Sequence, residues 1–174
     1  MRSIRSWPWH QHTRLLLLTL SLSSIPAFAQ RDFSSVEIVA EPVRDGIYML
    51  TGSGGNIGVS VGADGVYIID DQFAPLTDKI QAAIAKLSDQ PIRYVINTHW
   101  HGDHTGGNEN LGKAGATILA HDRVRARMQQ GGRDLNLFEL KPEDSVPDAL
   151  PVITFNNELG LHLNGESVRI YHAP

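Results

Sequence analysis

This sequence predicts an α/β fold with strands and helices in layers, on three observations. Short apolar runs separated by turn signals fill residues 36–69, the pattern of an antiparallel meander. After Pro75 the apolar spacing changes from alternate positions to one helical face. After Pro91 the chain returns to buried-looking runs, so strand–helix–strand units follow the meander.

Residues 36–40 and 47–51 are apolar runs on either side of the turn signal Arg44-Asp45-Gly46. Residues 52–56, Gly-Ser-Gly-Gly-Asn, make a tight loop and a candidate lid. Ile57, Val59 and Val61 alternate with small residues as a half-buried strand does, and Ala63-Asp64-Gly65 turns the chain into a buried strand over 66–69. Leu76, Ile80, Ala83, Ile84 and Leu87 line one side of a helix that Pro91 terminates. Residues 92–96 and 117–120 read as buried strands, and 121–130 as a helix closed by Gly131-Gly132. Residues 133–151 are polar and proline-punctuated, a surface excursion and second candidate lid. Strands are expected again over 152–155, 159–163 and 168–171.

The charge balance excludes some partners. Fifteen basic against 19 acidic side chains give a net −4, and all three basic residues of positions 1–29 (Arg2, Arg5, Arg14) stand in a stretch without acids. Without them the balance is 12 against 19, a net −7. Such a chain is a poor nucleic-acid binder and has no polybasic patch for anionic membranes. The arginines precede a short leucine-rich core and then Ala27-Phe28-Ala29, the layout of a signal peptide cleaved before Gln30. The apolar stretch is too short for a membrane span, and no cysteine stands beside it to carry a lipid anchor. The expectation is an exported protein, in a bacterial periplasm, with a leader over 1–29 and one domain over 30–174. His10 and His12 fall in the leader. The absence of cysteine also excludes disulfides, thiolate metal sites and cysteine nucleophiles within this sequence.

Chemistry is concentrated in the segment after the strand at 92–96. His99, His101, Asp103 and His104 place three imidazoles and a carboxylate within six positions, at the end of a buried strand where α/β sheets bind ligands. In an extended turn His99 and His101 project to the same side, and the Gly102 bend aims Asp103 and His104 back at the same point. Neutral imidazoles with a hard carboxylate suit zinc, iron or manganese. Four donors exceed what one open tetrahedral ion takes from a single loop. Two ions are therefore expected, His99 and His101 on one, Asp103 and His104 on the other. Gly106-Gly107 is expected to let the backbone approach a ligand closely. Trp100 either flanks the substrate cleft or packs on the next strand.

The run His99-x-His101-x-Asp103-His104, with Thr98 before it and Gly106-Gly107 after it, resembles the signature of the metallo-β-lactamase-fold hydrolases. Gly55-Asn56 and Ile68-Ile69-Asp70 resemble that family too, over about residues 45–174. The resemblance implies an αββα sandwich of two similar halves with a dinuclear site at one edge, its second half incomplete in this chain. It implies two Zn2+ on the same four residues, with iron or manganese as substitutes. It also makes Asp70 the buried acid that braces the metal loop, the other reading being a simple strand-end acid. A third histidine, a bridging aspartate and a last histidine are implied further along, so the remaining ligands are expected beyond Pro174. Of the later histidines, His121 is read as structural at a helix start and His162 as solvent-facing on its strand. His172 lies near the third ligand's place but in the wrong register.

The expected reaction is attack by a metal-bound hydroxide on an amide, ester or related bond of a small molecule. Asp103 is the candidate catalytic residue, holding the second ion and orienting the hydroxide. Members of the family hydrolyse β-lactams, thioesters, lactones and phosphodiesters, or oxidise sulfur with iron. Export favours a β-lactam or another external amide or ester. Two other readings are a catalytically incomplete metal-binding fragment and an iron-dependent sulfur oxidoreductase on the same fold.

Overall fold

The structure is a computed structural model that describes residues 32–131 and 146–173. The expected leader and residues 132–145 of the expected excursion lie outside the described residues. Seven strands lie side by side in sequence order. β1 (Val39–Arg44), β2 (Ile47–Thr51), β3 (Ile57–Gly62) and β4 (Gly65–Ile69) form the antiparallel meander. β5 (Ile92–Asn97), β6 (Thr117–His121) and β7 (Ile153–Phe155) then add in parallel. The switch follows from the connections. Two- to five-residue turns join the meander strands, whereas helix α1 (Thr77–Ile84) carries the chain back to start β5 beside β4.

Alternate residues of the central strands feed opposite faces of the sheet. Val66, Ile68, Val95 and Ile118 pack with Leu76, Ile80 and Ile84 of the α1 segment and with Leu111 of α3 (Asn108–Lys113). Tyr67, Ile96 and Leu119 face the other way, onto Leu159, Leu161, Leu163, Val168 and Ile170 of a two-stranded ribbon. That ribbon is β8 (Glu158–Leu163) paired antiparallel with β9 (Glu166–Tyr171). Helices, main sheet and ribbon therefore stack as three layers, the α, β and β of the expected sandwich.

The ribbon turns at Asn164-Gly165, both with positive φ (56° and 76°), as a two-residue hairpin requires. Asn164 is also pinned to the β3–β4 turn. Its backbone N–H donates to Asp64 Oδ2 at 2.7 Å, and its Oδ1 accepts from the Asp64 N–H at 3.0 Å.

Several boundaries differ from the sequence expectation, among them the end of α1 at Ile84 rather than Leu87 and the start of β9 at Glu166 rather than residue 168. The first strand begins at Val39 rather than at residue 36, because residues 33–36 turn and are tied to α1. Lys79 Nζ donates to the carbonyls of Phe33, Ser34 and Val36 at 3.0, 2.8 and 2.7 Å. The helix expected over 121–130 is α4 (Asp122–Gln129), and His121 ends β6 as its N-cap. Gly131 then takes a left-handed φ of 62° past the helix end, as expected of a closing glycine.

Candidate metal centre

β4 and β5 run parallel and end together, so Asp70 emerges beside Thr98 at their carboxyl ends. The chain then passes through His99, Trp100 and His101 into a single helical turn, α2 (Gly102–Thr105), capped by His101. The N–H groups of His104 and Thr105 donate to the His101 carbonyl at 2.9 and 3.1 Å, which folds Asp103 and His104 back towards the two earlier histidines.

Asp70 organises the cluster. It is 4% exposed and sits at a left-handed φ of 62°. Its Oδ1 accepts from the Thr98 N–H at 2.8 Å, and its Oδ2 accepts from the Thr98 hydroxyl at 2.7 Å. The same Oδ2 lies 2.8 Å from His104 Nδ1. A carboxylate accepts, so Nδ1 of His104 carries a proton, and in the neutral ring Nε2 keeps its lone pair. The Thr98 hydroxyl has given its proton to Asp70, so at 3.0 Å it accepts from His99 Nδ1, and His99 too presents a bare Nε2. One buried acid thus sets the tautomer of two imidazoles. Burial, and then the neighbouring His104 and His101, hold the His99 pKa below the ordinary imidazole value, which keeps the ring neutral.

The four sequence-predicted residues come together as two pairs. His99 Nε2 lies 3.1 Å from His101 Nδ1, and His104 Nε2 lies 3.5 Å from Asp103 Oδ2. Two ligands of a tetrahedral zinc stand about 3.3 Å apart, from bond lengths of about 2.0–2.1 Å. Both separations suit donors that share an ion. The pairs adjoin, with the His99 and His104 rings 3.9 Å apart. Among the described residues no group of three or more His, Asp or Glu side chains is placed to hold one ion. The donor types and pairwise spacing fit two ions that each take two ligands here.

Trp100 takes the packing alternative, against Ala120, Val124, Met128, Ala149 and Leu150. Its ring also meets that of His101 edge-on at 4.5 Å, so the same packing steadies a donor. Gly106 and Gly107 are required by the packing of the chain itself. A Cβ on Gly106 would stand 2.6 Å from the Gly102 carbonyl oxygen and 2.7 Å from that of Gln72; one on Gly107 would stand 3.0 Å from the Asp71 carbonyl oxygen. The close approach is to the chain's own 71–73 segment and, for Gly106, also to the Gly102 carbonyl.

Of the later histidines, His121 accepts from the Arg123 N–H at Nδ1 and donates to the Asn156 carbonyl at Nε2, a structural role. His162 is exposed on β8, as expected. The His172 ring lies 4.3 Å from that of His121, and both border a cleft of about 390 Å³ that also touches Thr98.

Sequence reasoning missed four buried polar residues that shape the site. Asp71, fully buried, accepts from the Gly107 N–H through Oδ1, and burial pushes its carboxyl pKa well up. Asn97 and Asn108 exchange side-chain hydrogen bonds at 3.1 and 2.9 Å and lock β5 to α3. Gln72 reaches the loop at residues 52–56. The only sequence signal for these was a polar residue beside a buried run.

A family model described as the metallo-beta-lactamase superfamily matches residues 50–174. A hydroxyacylglutathione hydrolase of Nitrosococcus oceani is 39% identical over 56 residues, which are 32% of this chain and 21% of that protein. Among solved structures, a beta-lactamase from Chitinophaga pinensis superposes with a TM-score of 0.68 at 17% identity, over 83% of this chain and 55% of that one. A subclass B3 metallo-beta-lactamase of Bradyrhizobium japonicum gives 0.64 at 23% identity, over 78% and 52%. At these identities the structural likeness shows a shared fold. The chain spans about a fifth of that curated relative's length and about half that of each of these two structures.

Proposed function

The chain belongs to the metallo-beta-lactamase superfamily, and from that premise we propose that it carries the metal-binding loop of a metal-dependent hydrolase. His99 Nε2 and His101 Nδ1 would hold one divalent cation, and Asp103 with His104 Nε2 a second. The hydrogen bonds accepted by Asp70 and Thr98 carry this reading, because in neutral rings they leave His99 and His104 each with an unprotonated Nε2 beside a second donor. Zinc fits the imidazole-rich set, with iron or manganese the alternatives. When bound, such a pair supplies Lewis acidity and water acidified towards neutral pH. The protein's part is orientation. Asp70 and Thr98 fix the rings, and Asp103 has a second carboxylate oxygen with which to accept from a water.

The substrate is a small molecule with a hydrolysable amide, ester or thioester. The likeness to a hydroxyacylglutathione hydrolase supports the thioester class, and the leader-like residues 1–29 support a substrate met in the exported compartment, such as a β-lactam. Metal analysis with turnover of a glutathione thioester and of a chromogenic β-lactam tests the proposal. His101→Ala should abolish turnover of the accepted substrate while the protein stays soluble and folded. Unchanged turnover sinks the assignment, and stoichiometric iron with sulfur oxidation favours the oxidoreductase reading. Export is tested separately, by N-terminal sequencing of periplasmic protein, where Gln30 should come first and Met1 should not.

A further inference from the structure

We infer that Gln72 is a positioning residue that clamps the loop at residues 52–56 onto the Asp103–His104 pair. The inference rests on the metal-centre reading above for its consequence, but on separate contacts for its geometry.

Gln72 is 1% exposed and holds a left-handed φ of 56°, which is uncommon outside glycine and needs surrounding contacts to maintain it. Its side chain spans the loop. Nε2 donates to the Gly55 carbonyl at 2.6 Å, and Oε1 accepts from the Ser53 N–H at 3.3 Å. Its backbone carbonyl accepts from the Gly106 N–H at 2.8 Å, just past α2. One residue therefore joins the loop before β3 to the segment that carries Asp103 and His104.

The glycines show how closely the loop is held. A Cβ on Gly55 would stand 2.5 Å from Cε1 of His104, and one on Gly54 would stand 2.8 Å from Cβ of Asp103. Real side chains do not tolerate such separations, so the loop backbone lies directly against the two donors of the proposed second ion. Cε1 is the ring carbon beside Nε2, so a shift of the loop alters the room around the donor atom itself. The first pair, His99 and His101, has no such contact with Gly54 or Gly55 among their nearest neighbours. Losing the clamp should therefore weaken one ion and spare the other.

Two variants of the full chain test this. Gln72→Asn tolerates the left-handed backbone but is one methylene too short to span the loop. Gln72→Glu keeps the length, but its carboxylate has no hydrogen to donate to the Gly55 carbonyl. Each is titrated with zinc against a chromophoric chelator, and amide exchange is followed over residues 52–56. The expected result is an unchanged first affinity, a second affinity weakened about 10- to 100-fold, and faster exchange confined to the loop. Two unchanged affinities with an unchanged loop overturn the clamp. So does an equal loss at both ions, which marks a general structural defect. A parent chain that binds no zinc overturns the metal-centre reading instead, and the exchange rates then decide the clamp alone.

Discussion

At the scale of single residues, Asp70 bears the most consequence for the fewest atoms. Its two oxygens serve a backbone N–H, a hydroxyl and an imidazole, with the carboxylate almost fully buried. Asp70→Asn keeps the volume but puts an NH2 group where a proton acceptor is needed. Whichever way the amide turns, one donor faces another. Hydrogen bonds to a charged group contribute more than neutral ones, and an unmatched buried group costs more than a lost exposed one, so the loss should be about 2–4 kcal/mol. Urea unfolding checks that figure. The same change should weaken both proposed ions, since His99 depends on Asp70 through Thr98 and His104 depends on it directly. A variant that is destabilised but binds both ions as tightly as the parent would show that the acid supports the fold and not the ligands.

At the scale of elements, α1 is tied both to the sheet and to the segment before β1. Ile80, Ala83 and Ile84, with Leu76 just before the helix, were legible as its buried side because the helical period exposes such a side in the sequence itself. Lys79 was not, because its three acceptors lie 43 to 46 residues earlier. Lys79→Met keeps the aliphatic stem and removes the donors. It should speed amide exchange and proteolysis at residues 33–36 while residues 97–108 stay protected; equal loosening of both would place the lysine in the core of the fold. The same distinction explains the site. His99, His101, Asp103 and His104 were readable because they are nearly consecutive and chemically unlike a core. Asp71, Gln72 and the Asn97–Asn108 exchange were hidden because their meaning depends on partners supplied by other elements. Gly106 and Gly107 were recognised as points of close approach, but only the fold shows that segment 71–73 is what approaches. The short helices α2 and α3 lacked the length to announce a period, and β1 was misplaced by three residues because apolar Val36 continues the run without continuing the ladder.

At the scale of the whole domain, the donors stand at the carboxyl ends of β4 and β5, on connections whose geometry is fixed by strands packed on both faces. A ligand bound there stabilises the folded state in proportion to its occupancy, because the unfolded chain does not hold the donors together. With free metal at about 100 times Kd, one site contributes about 2.7 kcal/mol. For a domain of this size that corresponds to a rise of roughly 5–10 °C in Tm. Chelation should therefore lower the melting temperature by that order, and added zinc should restore it. His101→Ala should show a smaller chelator effect, since only the Asp103–His104 pair remains intact. The comparison separates binding at this centre from binding elsewhere on an acidic surface: adventitious metal would leave the parent and the variant equally sensitive to the chelator, and that result would remove the proposed centre from the stability of the fold.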